Sequence, residues 1–299
     1  MKAMLTTWVS AGALMAILLG TSCLLSAGDA ESGQQGSQPQ QQQAPAQQNQ
    51  TKDKQPNPAP LSMDTVQAPA SPEEEAAYKA AQEAPTTDIN KRIQMAEDFL
   101  QKYPRSRYRG VMYQSLVSGY FATQQIPKLL DVGDKEIEMN PNDAPVLAVV
   151  AQTIARSFNA KAPDAEKQLE KAEEYSKRAI EVTPTLQKPA NMTDEAFLTA
   201  KNDTLGMAHS GLGLVYVRRA KYAEAIPELE QSIKVDSHAQ ADPVNYYLLG
   251  LANDKTSHFD AAATAFSKCA AIQSSLQATC KNGAEEVKKK GATQLSAPN

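Results

Sequence analysis

From Ser71 to Lys290 apolar residues recur every three or four positions, the period of a helix with one buried face. Ile89, Ile93, Ala96, Leu100 and Tyr103 make one such stripe, and Leu116, Val117, Tyr120 and Phe121 another. Ser71 is placed to cap the first helix, Pro72 suits its first turn, and Glu74 completes a capping box. The stripes come in pairs separated by short turns. A connector from Thr185 to Asp194 carries Pro189 and ends in Thr193, an expected N-cap. The helix after it is expected to run as far as Arg219, longer than its neighbours. Pro227 falls early in the next helix and should kink it or restart its first turn. Ser274 or Ser275 should cap a last helix ending near Lys290, with Leu276, Cys280, Ala284 and Val287 as its stripe. Lys288, Lys289 and Lys290 suit the negative end of that helix dipole. The expected fold class is all-α.

The pattern repeats. Leu212, Gly213, Tyr216, Tyr222, Ala225, Leu229, Ser232 and Ser237 recur with identical internal spacings as Leu249, Gly250, Asn253, Phe259, Ala262, Phe266, Cys269 and Ser274. This resembles the tetratricopeptide repeat (TPR), a helix-turn-helix unit. The resemblance implies a right-handed superhelical solenoid of about five helix pairs with a C-terminal capping helix. It implies that Gly213 and Ala225 sit where paired helices cross closely. It also implies that Tyr222 and Leu229 plug the gap to the neighbouring repeat. In residues 113–141, Tyr113, Leu116, Tyr120 and Pro141 fit the pattern, but Gly133 stands where a large apolar residue belongs. Ala172, Ala179 and Pro184 fit the next unit, with Ser176 in the large-residue slot. The first helix of that unit, from about Asp143 to Phe158, fits poorly, and an insert around Asn159 to Lys171 lengthens it. The first pair keeps Ala96, Leu100, Tyr103 and Pro104. The stretch from Phe99 to Ser106 looks like the repeat variant of outer-membrane assembly lipoproteins.

The N-terminus has a different grammar. Lys2 precedes an uncharged apolar run, Met4 to Leu25, followed by Ser26, Ala27 and Gly28. That order is a secretory signal, residues 1–28, with cleavage near Ala27 as the preferred outcome. Two alternatives stay open: the run is retained as a membrane anchor, or Thr21-Ser22-Cys23 serves as a lipobox and Cys23 is lipidated. Each would place the mature chain in the periplasm or on a periplasmic membrane face of a Gram-negative-type envelope. Residues 29–70 are rich in Gln and Pro, and their only large apolar residues are Leu61, Met63 and Val66. Such a segment cannot offset its ordering entropy, so a disordered tether is expected. The repeat domain is expected over 71–290 and a disordered tail over 291–299.

Charge and chemistry narrow the function. The 299 residues carry a formal charge of -4, which excludes an electrostatic nucleic-acid binder. Apolar residues make up 41% and Gly only 14 positions, which speaks for helices over sheets. No phosphate loop, nucleophile elbow, HExxH or CxxC occurs, so no catalytic residue, metal or cofactor is expected, and the chain is expected not to be an enzyme. His209 and Ser210 are adjacent on one helix, and His238 and His258 fall in inter-helix turns. The run Glu73-Glu74-Glu75 reads as N-terminal helix charge. Cys269 and Cys280 lie equally far from the Ser274-Ser275 turn, so antiparallel packing would set them side by side. In an exported protein that favours a disulfide over two core thiols.

Carried over from the resemblance, the groove slots of the first helices fall on Val111, Gln114, Ser118 and Phe121 in one unit. In the next matching unit they fall on Met207, Ser210, Leu214, Val217 and Arg218. In the last they fall on Val244, Tyr247, Leu251, Asp254 and Lys255. Clamps for a C-terminal carboxylate need Lys and Asn in slots that here hold Gln, Ser, Tyr or Leu, so that activity is not expected. The set suits an amphipathic helix or an extended peptide in a concave groove, or else several members simply pack between repeats. The resemblance therefore implies a non-enzymatic protein-interaction scaffold or adaptor, its membrane tether, if any, at the N-terminus. The alternative is a structural part of an envelope assembly machine.

Overall fold

A computed structural model describes residues 70–236 and 242–296, with side chains to residue 293. The expected signal with Cys23, nearly all of the tether, Ser237, His238 and residues 297–299 lie outside the described residues.

Among the described residues ten helices form five pairs: α1 (Pro72–Gln82) with α2 (Ile89–Lys102), α3 (Arg109–Ala122) with α4 (Ile126–Met139), α5 (Ala144–Ser157) with α6 (Ala165–Val182), α7 (Asp194–Arg218) with α8 (Tyr222–Val235), and α9 (Pro243–Lys255) with α10 (Phe259–Ala271). An eleventh, α11 (Gln277–Ser296), lies on α10, and a 3-10 turn (Thr183–Thr185) follows α6. No strand occurs among the described residues. Each helix packs on its neighbour in sequence, and the first helices also meet one another, α3 with α5, α5 with α7 and α7 with α9. That stacking of pairs is an all-α helical repeat solenoid.

Local chemistry sets the helix ends. Ser71, Asp88, Asp143, Thr193 and Asp242 each accept a hydrogen bond from a backbone N–H of the first turn of their helix. The turns after α3, α7 and α9 are three copies of one structure. Gln124, Ala220 and Ser257 take φ of 58°, 55° and 63°. In each copy the following N–H reaches back five residues: Gln125 to Tyr120, Lys221 to Tyr216, His258 to Asn253. This is the Schellman ending, and it turns the chain back for the second helix of the pair.

Packing follows the repeat. A Cβ on residue 213 would lie 2.7 Å from Leu229 Cγ, and one on residue 250 would lie 2.7 Å from Phe266 Cδ1. Leu229 thus fills a notch within its own helix pair. Gly133 has the converse explanation. Val150, from α5 of the next pair, occupies the space that a side chain at 133 would need. Helix α5 explains its own poor fit. It is enclosed by α3, α4, α6 and α7, and every residue from Val146 to Ala155 is buried, so no one-sided stripe survives. The insert becomes a short loop and an α6 of 18 residues, and α7 runs to 25. Leu198, in the first turns of α7, stays 59% exposed.

Helix α8 spans Pro227 without a restart of its first turn. One expected helix end is corrected. Helix α11 continues to Ser296, past the expected end near Lys290 and through Gly291, which lies against the Phe259 side chain. Cys269 and Cys280 are joined, with Cα atoms 5.8 Å apart. Both are fully buried in a small cluster with Ala262, Phe266, Ala284 and Val287, apart from the main core.

Candidate functional site

The groove slots separate into three kinds. Ser210 and Leu214 are 2% and 5% exposed and leave the candidate surface. Ser210 belongs instead to a buried relay. Its Oγ donates to Asn245 Oδ1 (2.7 Å), Asn245 Nδ2 donates to Ser232 Oγ (2.9 Å), and Ser232 Oγ donates to the Gly206 carbonyl (2.8 Å). The relay satisfies polar groups at the meeting of α7, α8 and α9. A second kind is half-buried and shared with the core: Val111, Phe121, Met207, Val217, Val244 and Tyr247. Tyr247 also packs against the Phe266 ring, centroids 6.0 Å apart. The third kind reaches solvent. Arg218 stands over the Phe158 ring at 5.6 Å, Lys255 is exposed and Ser118 is partly exposed, while Leu251 is half-buried against the cap cluster. Asp254 is taken by Lys290 of the cap helix at 2.7 Å.

Gln114 and Ser118 line a cleft of about 200 Å³ with Arg92 of α2, Asn140 and Asn142 of the turn after α4, the start of α5 and Leu186 of the connector. At its floor is Asp143, the N-cap of α5. Gln114 Nε2 donates to its Oδ2 (2.6 Å) and the Val146 N–H to its Oδ1 (3.2 Å). The third contact is a carboxyl group, that of Glu136 on α4, which is 1% exposed. Burial pushes the Glu136 carboxyl up to about 8, and the adjacent Asp143 charge adds to the effect. Burial also raises Asp143, while its donors Gln114 and Val146 work against that. Asp143 accepts N–H donors from Gln114 and Val146 while Glu136 Oε2 has none, so the arrangement favours the charge on Asp143 and the shared proton on Glu136. Glu136 Oε2 has no hydrogen-bond partner and lies against Gly110 of α3.

Sequence reasoning did not find this pair. The signal was present: Leu129, Val132, Gly133, Glu136 and Ile137 are one helical stripe, and all are buried. A charged residue inside an apolar stripe is the informative exception. Elsewhere, His209 Nδ1 meets Glu228 Oε2 at 2.7 Å across α7 and α8, and His258 Nδ1 meets Thr256 Oγ1 at 3.0 Å. No cluster of three His, Cys, Asp or Glu is placed to hold a metal among the described residues.

No protein-family profile and no curated protein matches the chain. Among solved structures, one described as "MamA RS-1 ArsTM double mutant" is 12% identical, with a TM-score of 0.47, covering 67% of this chain and 93% of that one. A thermophilic TPR protein of Thermus thermophilus, TTC0263, is 14% identical, with a TM-score of 0.42, covering 75% of this chain and all of that one. Likeness at that distance carries no functional argument. By its paired helices, repeated turns and stacked first helices, the chain is an all-α helical repeat protein.

Proposed function

We propose that the chain is a non-enzymatic scaffold of the bacterial cell envelope that holds a partner protein by an extended segment or an amphipathic helix. The observation that carries this is the register of the first helices. They stack from α3 through α9, and on them Gln114, Ser118, Arg218, Leu251 and Lys255 stay at least partly open to solvent while their neighbours form the core. A surface mixing apolar, amide and cationic groups suits peptide recognition more than chemistry on a small molecule. An envelope location is supported by the apolar run Met4–Leu25 with its small-residue exit, and by the buried Cys269–Cys280 bridge, which suits an oxidising compartment.

The test is in-cell photo-crosslinking from single positions of the full chain. A photoreactive residue at Ser118 or Leu251 is expected to capture one discrete partner, and the same residue at the exposed Glu170 of α6 is not. Equal capture from all three positions, or none from the first two, removes this surface as the binding face.

A further inference from the structure

Helix α5 is the member through which α1–α4 meet the rest of the solenoid. From the N-terminal side α4 packs along it and α3 touches it. Few polar links cross this joint. Lys171 of α6 pairs with Asp134 of α4, Arg178 of α6 donates to Asn142 (3.1 Å), Gln114 of α3 donates to Asp143, and Glu136 of α4 meets Asp143. The last two converge on one residue, the N-cap of the fully enclosed helix. The cleft opens at the same joint, since its lining comes from α2 and α3 on one side and from α5 and Leu186 on the other.

We propose that Glu136 and Asp143 form a proton-operated latch on this joint, closed while Glu136 carries a proton and released when that proton is lost to water, and that the cleft widens with the release. Closed, a neutral Glu136 meets a charged Asp143 and each is tolerated in a dry site. Released, two carboxylates would face each other where neither is solvated and no cation is paired with them, so the pair separates toward water. The groups around them do not supply the missing charge. Helix α3 presents Gln114 and Gly110, and Asn140 follows α4. The cations at this corner are Arg92, on the cleft lining, and Arg178, which is engaged with Asn142. The neutral Asn140 side chain is the one donor that favours an ionised Glu136, and Oε2 stays buried without a partner, so an ionised carboxyl is poorly held there.

The sign follows from linkage. The closed joint holds the Glu136 proton up to about pH 8, whereas an opened joint releases it near the ordinary carboxyl value. Opening therefore becomes easier as pH rises between those two values and levels off above the upper one. The cleft's part in binding rests on the function proposed above. The latch does not, because it can be read with no partner present.

Hydrogen exchange of the full-length native chain, corrected for the intrinsic pH dependence of exchange, decides it. Between pH 5.5 and pH 8, amides of 110–118 and 143–150 are expected to lose protection at least tenfold, while those of α9 and α10 change little. Glu136→Gln, which keeps a neutral donor toward Asp143, is expected to flatten that dependence. Asp143→Asn, which retains an N-cap and removes the facing charge, serves as the second variant and should flatten it also. Unchanged protection at the joint in the native chain overturns the latch. So does an equal loss in α9 and α10, or the same loss in both variants.

Discussion

Val150 of α5 is seated in the notch at Gly133 of α4, where a Cβ would overlap its Cγ2. Two helix pairs are thereby keyed to each other by a missing side chain. Both residues are buried, and the valine branch cannot swing aside, because its single strongly preferred helical rotamer is fixed by packing.

Gly133→Ala should consequently destabilise by about 1–3 kcal/mol through overpacking, less the modest gain from Ala's helix propensity. Val150→Ala costs about 1–3 kcal/mol by leaving a cavity. The double variant should be more stable than the sum of the two effects, since the smaller residue at 150 makes room for the Cβ. Urea denaturation of the four proteins checks this, and strict additivity would show that the two sites do not touch.

The left-handed turn residues make an opposite prediction. Ala220 holds φ 55° in a position that glycine occupies without steric cost. Ala220→Gly should stabilise by up to about 1 kcal/mol, and Ala220→Val should destabilise by a similar or larger amount. Thermal unfolding measured under identical conditions reads both signs.

Global stability should carry the imprint of Glu136. A group whose folded pKa is raised contributes stability that is whole at low pH and is lost as pH rises toward the folded value, here about 8. One such group gives a slope of at most about 1.4 kcal/mol per pH unit in that window. Glu97 and Glu173 act in the other direction. The Tyr120 hydroxyl beside Glu97, with Lys128, and the Lys177 and Arg219 cations beside Glu173, hold their carboxyls below the usual range. Their contribution is present above the ordinary carboxyl pKa and is lost as pH falls below it. The stability difference between Glu136→Gln and the native chain should be small at pH 5 and should grow toward pH 8. A constant difference would mean that Glu136 is ionised throughout.

The bridge between Cys269 and Cys280 closes a separation of 11 residues and ties the cap helix to the last pair. Replacing both with Ala should lower the stability of the cap by about 2–4 kcal/mol. The loss should be local, with α10 and α11 exchanging first, because stacked repeats hold each other by neighbour contacts. Thiol labelling of exported, denatured, unreduced protein should find neither Cys269 nor Cys280 reactive. Labelling at both shows two core thiols instead.

The helices, their pairing and the last two units were legible in the chain, because helical period and capping are local properties. Ser71 and Thr193 announce the starts of their helices by residue type alone. The Cys269–Cys280 bridge was legible for the same reason: two helices folded back at one turn leave little freedom in what faces what. What the chain alone did not decide is how one pair meets the next. Ser210 and Leu214 occupy slots that the repeat pattern assigns to a groove, yet the overlap of α7 with its neighbours buries them. Gly133 looked like a defect until Val150 supplied its missing side chain. Glu136 lay in a buried stripe with nothing nearby in sequence to pair it, and its partner Asp143 is identifiable only once α4 and α5 are set against each other. Burial and proton sharing depend on which surfaces are removed from water together, and that is a property of the packed solenoid rather than of any one helix.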